Sequence, residues 1–188
     1  HCLDRYTRGA IRTLHILDSI GADHIGTYDS KDSFERFYPF ITSIKGIRIA
    51  FLNYTYGTNG FTPHSPLIVN YIDEEKIKKD IFRAKTLSAD LIVACLHWGD
   101  EYQLLPNKRQ EDLADFLAKE GVQLIIGAHP HVIQPMELRY DEQGNPCALI
   151  VYSLGNFISN MKTRDTVGGA MVKVVIRRDI TGKILLQS

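Results

Sequence analysis

Two apolar runs, each leading into histidine, constrain this chain more than any other feature. Residues 91–96 read Leu-Ile-Val-Ala-Cys-Leu and are followed at once by His97. Residues 122–126 (Val-Gln-Leu-Ile-Ile) lead into Gly-Ala-His-Pro-His, which ends at His131. Neither run alternates between apolar and polar as a half-buried strand would. Near-continuous apolarity over this length is what a strand buried on both faces needs, and such strands occur where a sheet is covered by other layers.

The elements around them fit that frame. Residues 111–120 form a helical pattern with Leu113, Phe116 and Leu117 inward, ended by Gly121. Residues 73–87 predict a second helix, capped by Asp73, with Ile77, Ile81 and Phe82 inward. Residues 8–20 place Ile11, Leu14, Leu17 and Ile20 at helical spacing before Gly21. Residues 24–26 read as a short strand, and residues 40–44 and 47–54 as a hairpin turned at Lys45-Gly46. Residues 55–66, rich in Gly, Thr, Asn and Pro, predict a loop. Strands are expected at residues 132–140 and 148–154, joined by Asp-Glu-Gln-Gly-Asn-Pro. Residues 169–178 alternate, with Ala170, Val172, Val174 and Ile176 on one face, and a turn at 179–183 leads to a last short strand. Helices alternating with strands predict an α/β domain, and no repeat or linker divides residues 1–188.

Composition excludes several classes of function. Twenty-two basic and 22 acidic side chains cancel, so nothing resembles the basic stripe of a nucleic-acid-binding protein. No apolar run approaches the roughly 20 residues that cross a bilayer. Cys2, Cys95 and Cys147 have no close pair and form neither a disulfide framework nor a cysteine zinc site. Cys95 lies inside an apolar run, as a buried thiol would.

The chemistry concentrates just past the ends of the two buried strands, where sites on α/β sheets are commonly built. His97 opens His-Trp-Gly-Asp-Glu-Tyr, and His129 and His131 stand in Gly-Ala-His-Pro-His. Imidazole is the commonest nitrogen ligand for first-row divalent ions. In an extended His-x-His the side chains face opposite ways. In a tight turn, stiffened here by Pro130, they can converge or each serve one ion of a pair. The bland alternative is a hydrogen-bonded structural histidine; His15, within a helix, is read as a surface or packing residue, and His24, at the start of a short strand, as non-functional. His64, in Thr-Pro-His-Ser-Pro, is placed at the rim of a pocket as a substrate contact.

Three segments together resemble the CapA (PGA_cap) family of capsule, or poly-γ-glutamate, synthesis proteins. They are His-Trp-Gly-Asp-Glu-Tyr (97–102), Gly-Ala-His-Pro-His-Val-Ile-Gln-Pro-Met-Glu (127–137) and Val-Tyr-Ser-Leu-Gly-Asn-Phe (151–157). The resemblance places the chain in the calcineurin-like metallophosphoesterase superfamily and implies an αββα sandwich with mixed sheets flanked by helices. His1-Cys-Leu-Asp4 is similar to the family's Asn-Asn-His-x-x-Asp segment cut at its histidine. On that alignment the domain lacks its N-terminal strand, an acidic ligand and an asparagine, and any signal or membrane anchor belongs to that upstream segment.

The resemblance also assigns roles. His97, His129 and His131 would be metal ligands. His1 would contact a phosphoryl group and protonate the leaving oxygen, oriented by Asp4. Glu101 would act as a base, a substrate contact or a partner of a ligand histidine. Asn156 and Tyr102 would line the substrate pocket. The cofactors implied are two divalent ions drawn from Mn, Fe, Zn or Mg, about 3.5–4 Å apart, clamping a phosphoester or related bond. The partners implied are an anionic polymer or phosphoester substrate and other capsule-synthesis proteins, at the bacterial cell envelope. A different class of function is also compatible with the fold: a non-catalytic, polymer-binding component of capsule assembly or export.

Overall fold

The computed structural model describes residues 1–187. In chain order the elements are α1 (Tyr6–Ser19), β1 (Thr27–Tyr28), α2 (Lys31–Phe37), β2 (Phe40–Ile44), β3 (Ile47–Thr55), β4 (Ile68–Val69), α3 (Glu74–Thr86), β5 (Leu91–His97), α4 (Lys108–Lys119), β6 (Leu124–Ala128), β7 (Met136–Tyr140), β8 (Pro146–Val151), β9 (Val175–Arg178) and β10 (Ile184–Gln187).

The two apolar runs are the centre of the fold. A six-stranded sheet has the order β2-β3-β5-β6-β8-β7. β3, β5, β6 and β8 run parallel, and the hairpin partners β2 and β7 close the edges antiparallel. Successive residues of the inner strands feed opposite faces. Ala50, Leu52 and Tyr54, then Ile92, Ala94 and Leu96, then Ile125 and Ile150 join a core under α3 and α4. The intervening Ile49, Leu91, Val93, Leu124, Leu149 and Val151 form a second core. Burying each such aliphatic side chain is worth about 1.5–3 kcal/mol, which is why both faces must be covered.

The helices supply one cover. Ile77, Ile81 and Ala84 of α3 and Leu113, Ala114 and Leu117 of α4 are buried. Asp73 caps α3 by accepting the Lys76 N–H at 2.7 Å, as its side chain suggested. Phe82 departs from expectation and is 71% exposed, because the buried 77–81–84 stripe turns its neighbour outward. The other face is covered by residues 172–176 and the β9–β10 hairpin, through Val172, Val174, Ile176, Ile184 and Leu186. The expected alternation over residues 169–178 is thus correct in phase, but only Val175–Arg178 joins a ladder. Within the described residues the second layer of strands on this face is that hairpin alone, so this chain shows one large mixed sheet of the expected sandwich.

Several smaller elements differ from the reading of the sequence. The short strand expected at 24–26 lies at Thr27–Tyr28 and pairs with β4. The strand expected from 132 begins at Met136. α2 was not anticipated, since none of its residues is buried and it carries no apolar stripe; Ser30 caps it, accepting the Ser33 N–H. Ile20 of the first helical pattern is 70% exposed, just past the end of α1. Cys95 is partly buried, its thiol pKa raised by burial, and all three cysteines are free.

One ion pair ties the covering hairpin to the sheet. Arg178 Nη2 lies 2.6 Å from Asp90 Oδ2, which also accepts the Arg48 backbone N–H at 2.8 Å. The Arg178 hydrogen bond first, and the Arg48 N–H second, hold the Asp90 carboxyl below its usual range. A depressed carboxylate contributes stability that is present above its unfolded pKa, about 3.9, and lost as pH falls through the lower folded value. The pair is partly exposed, so its worth is at most about 1 kcal/mol. Asp90→Asn is expected to speed hydrogen exchange at the β9 and β10 amides while leaving α4 unaffected. Unchanged exchange in the hairpin would show that apolar packing alone holds it.

Candidate metal centre

The parallel register brings the expected residues to one edge. Thr55 of β3 pairs with His97 of β5, and His97 pairs with Ala128 of β6. The chain then leaves all three strands together. Tyr56 N–H donates to the His97 carbonyl at 2.9 Å, and Trp98 N–H to the Ala128 carbonyl at 3.1 Å. Tyr102 N–H donates to the Pro130 carbonyl at 2.8 Å. His129 and His131 have φ of 105° and 62°. That left-handed backbone is costly for histidine, and it breaks the strict alternation that would point the two rings apart.

Three imidazoles meet there. Nitrogen atoms of His1, His97 and His129 all lie within 4.8 Å of one another. The ring centroids of His97 and His129 are 4.5 Å apart, and His1 is 5.1 and 5.4 Å from them. Bonds of about 2.0–2.1 Å to one cation would set two such nitrogens at most ~4 Å apart, so a small tightening suffices. His97 Nε2 and His129 Nδ1 are buried and have no hydrogen-bond partner. Buried polar atoms are normally satisfied, and neutral imidazole nitrogens with open lone pairs suit a divalent ion. The residues present therefore fit the group.

The electrostatics agree. Burial above all pushes the His97 pKa down to about 4. Burial lowers that of His129 as well, partly offset by the negative charge of Glu101. Both rings are thus neutral at physiological pH, the state in which imidazole binds metal.

His131 stands beside this cluster. Its ring centroid is 6.2 Å from that of His129. Its Nδ1 lies 2.8 Å from Asn156 Oδ1, its Nε2 lies 3.9 Å from Glu101 Oε1, and Tyr102 stacks on it at 6.0 Å. The structure thus joins Glu101, Tyr102 and Asn156 through His131. It does not bring Asp4 or His64 to the same place. Among the described residues Asp4 has no side-chain hydrogen bond or ion pair with His1, and its exposed position follows from the turn that precedes α1. His64 is exposed, with its backbone N–H held by Thr7 Oγ1. His15 and His24 pair with Asp29 and Asp18, away from the cluster.

Tyr56 is the residue that the sequence reading missed. Its ring lies parallel to His97, at 3° and 5.6 Å, and 4.8 Å from His129. The one available signal was its place directly after a strand that ends on the same edge as β5. Below the cluster a buried glutamine relay fixes the loop between β5 and α4. Gln110 completes a capping box with Asn107 and donates to Gln134, which donates in turn to the Gln103 and Leu105 carbonyls. Gly99 has to be glycine for this relay to pass, because a Cβ would stand 2.5 Å from Gln110 Oε1 and its φ is +85°.

The α/β sheet thus carries its histidines at the C-terminal ends of its parallel strands, and the same fold occurs in a solved nucleotidase. Superposition supports the fold: Haemophilus influenzae NAD nucleotidase (NadN) matches 100% of this chain and 37% of its own length, with a TM-score of 0.60 at 13% identity. The chain belongs to the bacterial capsule synthesis protein PGA_cap family, whose model matches residues 1–161. It is 30% identical over 187 residues to the capsule biosynthesis protein CapA of Bacillus anthracis, covering 94% of this chain and 42% of that protein. It is likewise 30% identical over 200 residues to the PGA biosynthesis protein CapA of Bacillus subtilis (strain 168), covering 97% and 47%. The chain therefore spans less than half the length of these relatives.

Proposed function

We propose that this chain forms the histidine side of a divalent-metal hydrolase site, acting on a phosphoester or related bond in the making of an anionic capsule polymer at the cell envelope. The observation that carries this reading is the meeting of His1, His97 and His129 nitrogens within 4.8 Å, two of those rings bearing a buried nitrogen without a partner. The names of the CapA relatives support the biological setting, and the absence of a basic surplus argues against nucleic acid.

Divalent ions, when bound, would polarise the scissile bond and lower the pKa of a water molecule toward neutrality. An imidazole-rich set suits Fe or Zn better than Mg, and Mn²⁺ serves as a redox-stable probe of the site. The chain's own residues do the rest. His97 and His129 supply neutral nitrogens, and the Tyr56 ring shields one face of His97 from water. His1 reaches the same point from the turn that precedes α1, where it can hold an ion or donate a proton to a leaving oxygen. Glu101 adds negative charge at the rim beside His131, offsetting that of bound cations. Tyr102 and Asn156 flank this side, where a substrate would enter.

The test is a screen of the protein with p-nitrophenyl phosphate, its bis-ester and poly-γ-glutamate, with and without Mn²⁺. Mn²⁺-dependent turnover is expected, abolished by a chelator and reduced at least about 100-fold in His129→Ala, the upper end of what even the outer partners of metal ligands contribute. Binding of polyglutamate with no turnover of any ester would overturn the hydrolase reading in favour of a polymer-binding component.

A further inference from the structure

His131 has a partner whose orientation can be read without ambiguity. Asn156 places one side-chain atom 2.8 Å from His131 Nδ1 and the other 3.0 Å from the Thr166 backbone carbonyl. A carbonyl only accepts, so the atom facing it is the Asn156 amide nitrogen, which also lies 3.5 Å from Met161 Sδ. The atom facing His131 is then Oδ1, which also only accepts. His131 Nδ1 must therefore carry the proton, and in the neutral ring Nε2 is left with an open lone pair.

We infer that Asn156 is a positioning residue: it sets the tautomer of His131 so that Nε2, on the Glu101 side of the ring, is the nitrogen left open to a cation beside the His1, His97 and His129 cluster. The cation rests on the metal-centre reading above, extended to this neighbouring ring; the tautomer itself does not. The rival partner is Glu101, whose carboxylate would favour a proton on Nε2. At 3.9 Å it is too far to hydrogen-bond, so the Asn156 contact prevails. An asparagine in this role orients the ring without adding negative charge.

The surrounding backbone is built to hold Asn156 still. Its N–H donates to the Gly168 carbonyl at 3.1 Å, and the Ala170 N–H to the Leu154 carbonyl at 2.7 Å. Gly155 and Gly169 bridge the two segments. A Cβ on Gly169 would lie 2.4 Å from the Asn156 carbonyl oxygen, so the two strands of this clasp can close only with glycine there. Tyr102 lies along the His131 ring at an interplanar angle of 22° and a centroid distance of 6.0 Å.

The experiment is long-range ¹H–¹⁵N NMR of the metal-free, histidine-labelled protein at pH 8, with His131 assigned by its loss in His131→Gln. A single tautomer protonated on Nδ1 is expected. Asn156→Ala is expected to give a mixture, and Asn156→Asp, which keeps the acceptor, to restore the Nδ1–H form. Calorimetry with Mn²⁺ should show an affinity loss of about 10–100-fold for Asn156→Ala and a smaller one for Asn156→Asp. A proton on Nε2 in the unaltered protein, or an unchanged tautomer in Asn156→Ala, overturns the assignment. The unaltered protein decides by itself if the variants do not fold. Should the tautomer follow Asn156 while Mn²⁺ fails to bind, the metal-centre reading fails and the positioning of the ring stands.

Discussion

His97→Leu is expected to stabilise the metal-free protein and to abolish its stabilisation by divalent ions. His97 closes β5, and its Nε2 is buried without a partner. Leaving such an atom unsatisfied costs about 1–3 kcal/mol. Leucine removes the cost, and loss of the parallel Tyr56 contact returns about 0.5–1.5 kcal/mol of it. The net gain is about 1 kcal/mol, or roughly 2–4 °C in melting temperature for a domain of this size. The unaltered protein should instead gain about 2.7 kcal/mol in Mn²⁺ at a hundred times its dissociation constant, and the variant nothing. The pH dependence carries the same signature. Folded His97 has its pKa pushed down to about 4, against about 6.5 when unfolded. Between those values the unfolded chain binds a proton that the folded chain refuses, so stability falls as pH drops from about 6.5 to about 4. His129, also lowered by burial, adds to the fall, and His97→Leu should flatten it. Denaturant melts at pH 7.5 and 5.0, with and without Mn²⁺, read all of this. A destabilised variant that keeps its Mn²⁺ response would remove His97 from the site.

What made this site legible was burial on both faces of a sheet. A strand that needs apolar residues at every position leaves a plain mark, so residues 91–96 and 122–126 located β5 and β6, and the histidines after them, without reference to the rest of the chain. The α/β class and the family followed from those segments and the Leu-Gly-Asn-Phe turn; the fold bears out the first, and the match of the family model over residues 1–161 bears out the second. Elements held by caps and side chains rather than by an apolar stripe were not legible. α2 has no fully buried residue and touches the core through the half-buried Phe34 alone, and Phe82 is apolar yet lies one position off the buried stripe of α3. Proximity across the chain was harder still. Tyr56 reaches His97 because Thr55 is in register with it, and register depends on the whole sheet. The pairing of His131 with Asn156 spans 25 residues and a clasp of backbone hydrogen bonds, none of which has a local signal.

Gly127→Ala is expected to be among the most damaging single methyl additions in the chain, and to damage the metal centre with it. Gly127 lies in β6, two residues before His129. A Cβ there would stand 2.0 Å from the Tyr152 carbonyl oxygen and 2.3 Å from Trp98 Nε1. Neither can yield independently, since Trp98 Nε1 donates to that carbonyl at 2.9 Å. Both residues are 2% exposed or less, and their rings stack at 5.9 Å. Relief requires β6 to part from the segment after β8, to which the Gly127 carbonyl is bonded through the Leu154 N–H at 3.3 Å. Overpacking of a filled core costs about 1–3 kcal/mol, more where backbone must move. A loss of about 3 kcal/mol or greater is expected, lowering the melting temperature by roughly 6–12 °C. The Mn²⁺ response should weaken too, because His97 and His129 are held at their distance by the β5–β6 register. Gly57→Ala is the control, as a Cβ at that position would meet nothing within 4 Å, and its effect should stay within about 0.5 kcal/mol. Equal melting temperatures for the two variants would mean that β6, β8 and Trp98 are not locked together, and that the edge carrying the histidines is set by some other contact.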